Sequence, residues 1–416
     1  LTGNLPGVIT YSSYGMPGAE DAQIIIRAQS SWNNSYPLVL VDGIEREMSS
    51  VDISSVETVS VLKDASATAV YGVKGANGVI LITTKRGKEG NANIQIRDNA
   101  TLKVVSKLPE KYDAYDSHII KNRTLERELM LNPAGWGNYK PLAIIDKYRN
   151  PANNEEWDRY PNVDWADELF NTTAMSYNTS ANISGGTQFV KYFAAVDFTH
   201  EGDLFKKFEN NRGYTTGYGY NRINVRSNLD FNLTKTTQFS ANLFGSNASR
   251  YAPRGGIDGD SMFWRSVYRT APDAMRPVYS NGVWGFYSPS DYDVPNSMRI
   301  LATSGTETRT TTKINLDFSL AQDLKMITKG LTVKASLSMD NTFVEKERGL
   351  SDGSGTQRMW VNPESGEIVY WETINSGTQL DFSEGIKWTS NGGSVDKGKT
   401  YRKLYYAGQL NYARQL

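Results

Sequence analysis

The chain has no cysteine, which excludes disulfides, thiolate metal sites and a cysteine nucleophile within it. Histidine is scarce too. Only His118 and His200 occur among 416 residues, so a histidine-rich metal centre cannot be assembled and each reads first as a packing or surface residue. No run approaches about eighteen consecutive apolar residues, which leaves no candidate for a transmembrane helix. An excess of one charge is also missing, because 45 Lys and Arg balance 45 Asp and Glu, and a neutral chain lacks the electrostatic footprint of a nucleic-acid binder. The mean hydropathy of -0.50 suits a soluble protein, yet it is equally compatible with a membrane β-barrel, in which only alternate strand residues meet lipid. The chain opens on Leu1 with no visible signal peptide, so we expect a processed or partial segment whose secretion signal lies upstream.

The most structured stretch runs from Val56 to Gly87. Val56 to Leu62 reads as a strand, Asp64 as the N-cap of a short helical segment Ala65 to Tyr71, and Val79 to Thr84 as a second strand. Gly72, Gly75 and Gly78 follow the helical segment rather than precede it, and no Gly-Lys-Ser/Thr signature comes after them. The glycines therefore read as turns and close approaches, not as a phosphate cradle. Further strands are expected at Gln23 to Arg27 and Pro37 to Val41. Together these make a small mixed α/β domain over residues 1–88, with a core marginal enough to benefit from enclosing walls.

The stretch VLKDASATAVYGVKGANGVILITTKRG, with PLVLVDG at Pro37 to Gly43, the lead-in Val51, Asp52, Ile53 and LPGV at Leu5 to Val8, resembles the plug-domain signature of the SusC/RagA-like TonB-dependent outer-membrane transporters of Bacteroidetes. Ala28 departs from the glycine usual there in that family. The resemblance continues through VDWADELF at Val163 to Phe170, SGG at Ser184 to Gly186 and NRINVRSNLDFNLTK at Asn221 to Lys235. It implies a plug followed by a large antiparallel barrel in the bacterial outer membrane, energised by TonB and working with a SusD-like surface lipoprotein as lid.

Residues 89–416 support that reading without the signature. In Arg222 to Leu233, Ile223, Val225, Leu229, Phe231 and Leu233 alternate with Arg222, Asn224, Arg226, Asn228, Asp230 and Asn232, which is the period of a strand with one apolar face. Twelve such residues, tilted by about 40°, span roughly 30 Å, enough to cross a membrane core. Similar patterns cover Asn93 to Val104, Tyr177 to Ile183, Val190 to Phe198, Thr237 to Gly245, Lys313 to Leu320, Leu331 to Met339 and Leu404 to Tyr412, giving about eight strands. Alternation alone also fits a soluble sandwich. The links between these strands, however, run long, short, long, short, long, short, long, as they do when short periplasmic turns alternate with long external loops. A barrel of about eight strands is filled by its own side chains, whereas one of about 22 can enclose a plug. The barrel of the family it resembles is of that larger size, so we expect a mostly β chain: the plug, then the first part of the wall of such a barrel.

Chemistry is sparse. Asp258 with Asp260, and Asp291 with Asp293, have spacings that a calcium loop uses, but neither completes the D-x-D-x-D-G pattern. No nucleophile elbow or zinc helix occurs, and we expect no enzyme and no cofactor. The nine tryptophans all fall outside the expected membrane strands: Trp32 in the plug, and Trp136, Trp157, Trp165, Trp264, Trp284, Trp360, Trp371 and Trp388 in long loops. Flat amphipathic rings in wet loops suit sugar faces or peptide side chains, although long loops also need small cores of their own. Trp264, Tyr268, Trp284, Phe286 and Tyr287 form the candidate substrate-contact patch. Asp113 to Asn132 reads as an external helix. Within the transport reading, Arg27, Glu57, Arg86 and Lys88 are the candidate polar contacts between plug and wall. The expected function is TonB-dependent import of an oligomeric glycan or peptide. The alternative is a surface glycan receptor or adhesin that uses the aromatic loops without transport, and catalysis ranks third.

Overall fold

A computed structural model describes residues 8–11, 15–19, 23–26, 36–48, 51–63, 69–105, 108, 110–128, 131–210, 212–290, 294–352, 357–371 and 388–413. The first part contains a two-stranded antiparallel pair, β1 (Val8–Tyr11) and β2 (Gln23–Ile26). Beside it lies a sheet of β3 (Leu38–Val41), β4 (Ile44–Glu45), β5 (Val56–Leu62) and β6 (Val79–Thr84), in the order β4-β3-β6-β5. β3 and β6 run parallel in the middle, and Ile24, Ile26, Val41, Ile80 and Ile82 pack into a core between the pair and the sheet. The Asp42-Gly43 turn that joins β3 to β4 has positive φ at both residues, the geometry a tight hairpin requires. The Asp42 carboxylate then accepts from the Thr84 N–H at 3.0 Å and the Thr84 hydroxyl at 2.6 Å, tying the hairpin to the end of β6.

The expected helical segment differs from the structure. Residues 64–68, including the Asp64 cap, lie outside the described residues, and Ala69–Gly75 forms 3-10 turns broken at Gly72, whose φ is 60°. Gly78 has φ 95°, and a Cβ there would stand 2.7 Å from Ile26 Cδ1. Glycine at that point therefore serves both the backbone turn and the packing of β2 over β6.

The second part is one large antiparallel sheet. Its strands are β7 (Gly90–Val104), β8 (Thr173–Gly186), β9 (Val190–Glu201), β10 (Gly219–Asn232) and β11 (Thr237–Pro253), then β13 (Gly305–Asp323), β14 (Leu331–Asp352), β17 (Trp388–Val395) and β18 (Tyr401–Tyr412). Neighbours in sequence pair in order from β7 to β14. β17 and β18 both pair antiparallel with β14, β17 along Glu345 to Asp352 and β18 along Leu331 to Thr342. They act as a single long strand interrupted at residues 396–400. β17 was not expected from the sequence, and Trp388, expected in a loop, begins it.

Burial in this sheet is inverted relative to a soluble protein. Asn224, Arg226, Asn228, Asp230, Asn242, Asn315, Ser338 and Asp340 are buried on one face, while Val196, Phe198, Ile223, Val225, Leu243, Ile314, Phe318 and Leu337 are exposed on the other. The polar face packs against the first part of the chain, and the apolar face is bare. A sandwich would turn its apolar face inward, so this settles the choice that alternation left open, in favour of strands that face lipid.

The long links all leave the same end of the sheet. They hold α1 (Ala114–Glu128), α2 (Leu142–Ile145), α3 (Asn154–Arg159), α4 (Trp165–Leu169), α5 (Ser261–Arg269) and α6 (Ser297–Thr303). They also hold a small sheet in which β12 (Trp284–Gly285) runs parallel to β15 (Arg358–Val361), which pairs with β16 (Ile368–Trp371). Three different links share one core: Leu169 and Phe170, Phe205 and Tyr218, and Phe263, Val267 and Leu301. The loops are therefore a packed cap rather than separate excursions.

Candidate functional site

Two places carry chemistry: the seam between plug and wall, and the cavities of the loop cap. At the seam the β3–β4 hairpin delivers Arg46 to the polar face of the sheet. Its backbone N–H is bonded to Val39 O, which holds the side chain in position. The guanidinium grips Asp317 on β13 through Nη2 at 2.5 Å and Nη1 at 3.0 Å, and Asp340 on β14 through Nη2 at 2.7 Å and Nε at 3.1 Å. Ser338 Oγ accepts a further bond at 3.2 Å and itself donates to Asp317 at 2.6 Å. The Arg46 side chain is only 5% exposed. Two carboxylates around one planar fork, with their lone pairs occupied, is the arrangement in which a buried ion pair holds strongly.

Neighbouring contacts extend this seam along the wall. Glu47 pairs with Lys313 at 3.1 Å, Asn228 Nδ2 donates to Thr84 Oγ1 and to Lys85 O, and Gly18 N–H donates to Glu201. Gly87 lies against the wall backbone so closely that a Cβ would stand 2.3 Å from Tyr192 N and 2.5 Å from Gly185 O.

Of the four expected plug contacts, Arg86 Nη1 lies 2.8 Å from Asp230 Oδ1 on β10. Glu57 and Lys88 are exposed, and Arg27 lies outside the described residues. Sequence reasoning missed Arg46 because it stands between Glu45 and Glu47, and such a run reads as a solvated face. The one signal was its place just past the PLVLVDG hairpin.

In the loop cap the five candidate aromatics separate. Trp264 and Tyr268, on one face of α5, line a cavity of about 480 Å³ with Asp260, Arg265 and Arg269. Trp264 Nε1 donates to Asp260 at 2.8 Å, and its ring packs on Phe170. Tyr287 stands edge-on to Trp360, and both line a larger cavity of about 840 Å³. Arg269 lines both cavities. Phe286 is buried, and Trp284 packs against the shared core. These two serve the interior of the cap, so no single five-residue patch exists.

The larger cavity also has His118 from α1 in its wall. His118 Nε2 sits 3.1 Å from Asp273 Oδ2, and Lys121 Nζ 3.8 Å from the same oxygen. Burial works to raise the Asp273 carboxyl, but His118 and Lys121 hold it below the usual carboxylate range. Burial lowers the ammonium of nearby Lys111, which donates to Ser266 O and Thr270 O. Of the calcium candidates, Asp258 is held by Arg309 at 2.7 and 2.9 Å, Asp260 accepts from Trp264, and Asp291 and Asp293 lie outside the described residues.

Residues 1–79 match the family model described as the TonB-dependent Receptor Plug Domain. The chain is 32% identical to the TonB-dependent receptor SusC of Bacteroides thetaiotaomicron over 298 residues, 68% of this chain and 25% of that protein. It is 29% identical to the TonB-dependent receptor P3 of Formosa agariphila over 424 aligned positions, 100% of this chain and 37% of that one. The chain thus spans a minor part of the length of both relatives. Among solved structures it resembles the RagAB peptide importer in its open-open state, with a TM-score of 0.65 at 22% identity over 85% of this chain and 39% of that one, a likeness of fold.

Proposed function

The chain belongs to the SusC/RagA-like TonB-dependent transporters of the bacterial outer membrane, and we propose that it serves in the TonB-dependent import of an oligomeric nutrient, glycan or peptide, with the plug as gate. The observation that supports this most directly is the inverted sheet. Its polar face is filled by a small domain with its own core, held through Arg46 and Arg86, while its apolar face is bare. A domain with its own core can be shifted as a body when its polar contacts to the wall are broken, which leaves the wall intact. TonB is the proposed source of the pull. A SusD-like surface lipoprotein is the proposed lid over the loop cap, where the two cavities stand ready to meet substrate.

The test is uptake of labelled oligosaccharides and oligopeptides by cells that carry the full-length protein, with and without TonB. Entry of one class only when TonB is present supports import and names the substrate. Surface binding that persists with no entry in either strain would replace import with the receptor reading.

A further inference from the structure

The larger cavity of the loop cap carries a charge pattern that the import reading does not use. Three of its lining cations, Lys140, Arg159 and Arg269, have no carboxylate partner among the described residues. Lys140 Nζ stands 5.9 Å over the Tyr148 ring, Arg159 spends its Nε and Nη2 donors on the carbonyls of Pro363 and Glu364, and Arg269 is exposed at the junction with the second cavity. The lining carboxylates do not offset them. Asp273 is already engaged by His118 and Lys121, which leaves Glu364 as the opposing charge among the described residues. A concave site with an uncompensated excess of one sign concentrates the field of its side chains and attracts ligands of the opposite sign. Its walls also present aromatic surface, from Trp360 and from Tyr139, which is stacked on Trp136 at 4.5 Å.

We propose that this cavity binds an anionic group, a carboxylate, carried on a flat-faced unit of an oligomeric ligand. The anion sits toward Lys140 and Arg269, and the unit's apolar face lies on the aromatic wall. The cavity's volume of about 840 Å³ falls in the range of sites that enclose a short segment of ligand. The inference rests on the import reading only for the ligand being an oligomer, and it adds the sign of that ligand's charge. An acidic sugar and an acidic peptide share this chemistry, so the two are separated by experiment.

The experiment is calorimetric titration of the purified full-length protein in detergent, at low salt, with trigalacturonate, triglutamate and neutral maltotriose. We expect one of the two acidic probes to bind at least about tenfold more tightly than maltotriose, and Lys140→Gln with Arg269→Gln to remove about tenfold of that affinity. Glu364→Gln removes the opposing charge and is expected to strengthen anion binding by about threefold, a gain that a misfolded variant cannot mimic. Binding of trigalacturonate assigns the anion to a sugar, and binding of triglutamate assigns it to a peptide. Binding of neither, a preference for maltotriose, or an affinity unmoved by the double variant overturns the proposal. TonB-dependent uptake of a neutral oligomer without anion binding would end this inference and leave import standing. Anion binding without TonB-dependent uptake would do the reverse.

Discussion

Replacing Arg46 by methionine tests the seam most directly. The side chains of Arg46, Asp317 and Asp340 are 5%, 17% and 12% exposed, so water cannot take over the lost bonds without opening the seam. Methionine keeps most of the volume but leaves two carboxylates facing one another. Removing one partner of a buried pair costs about 3–5 kcal/mol, most of it from the charge left behind. At about 1.4 kcal/mol per factor of ten, the released plug should become roughly 100-fold to several thousand-fold more populated. Hydrogen exchange at the β6 amides, Val79–Thr84, reports that population, because those strand bonds open only when the plug does. Arg46→Met combined with Asp317→Asn and Asp340→Asn removes all three charges, and protection should return to within about 1 kcal/mol of the native value, since a neutral set of similar shape is nearly as stable. Unchanged exchange in the single variant would refute the reasoning. So would a triple variant that exchanges as fast as the single one.

Four smaller outcomes follow from the same geometry. Arg86→Ala, at a side chain 34% exposed, should speed β6 exchange by about 1 kcal/mol or less, well short of Arg46→Met. Gly87→Ala would place a Cβ 2.3 Å from Tyr192 N, and the backbone cannot yield cheaply, so a thermal melt should show a loss of about 1–3 kcal/mol or more although a glycine-to-alanine change is normally mild. Val225→Arg sets a charge on the bare face and should cost about 2–4 kcal/mol in a bilayer refolding titration if Val225 lies near the midplane; a neutral result would argue against lipid contact there. Burial pushes the Asp203 carboxyl up to about 6, against opposing backbone N–H groups of Phe205, Tyr218 and Leu204. The folded loop thus holds this proton more tightly than the unfolded chain, whose carboxyl has a pKa of about 3.9, so its contribution is fully present below about pH 4 and is lost as pH rises through about 6. Exchange protection of residues 202–218 should be lower at pH 7.5 than at pH 5 after correction for intrinsic rates, and Asp203→Asn should flatten the difference.

All eight strands expected from alternation are present, and the structure lengthens most of them. Lys313 to Leu320 becomes Gly305–Asp323, and Leu331 to Met339 becomes Leu331–Asp352. The added residues, such as Thr306, Thr308 and Thr310 to Thr312, continue the ladder toward the loop cap without apolar alternation, because lipid imposes a period only on the part of a strand it touches. β17 escaped notice for a related reason: WTSNGGSV has two adjacent glycines and no apolar face. The aromatic patch was a grouping by nearness in sequence. Folding sent Trp264 and Tyr268 to one cavity, Tyr287 to another, and Phe286 to the interior.

The sequence by itself therefore determined the eight strands with an apolar period and the end from which the long loops leave, since each follows from a local period or a link length. The tertiary structure decided which charges meet. Arg46 reaches Asp317 and Asp340 across 271 and 294 positions of chain, and that pairing depends on how the plug is turned within the wall. Neither a local pattern nor the count of charges carries that angle.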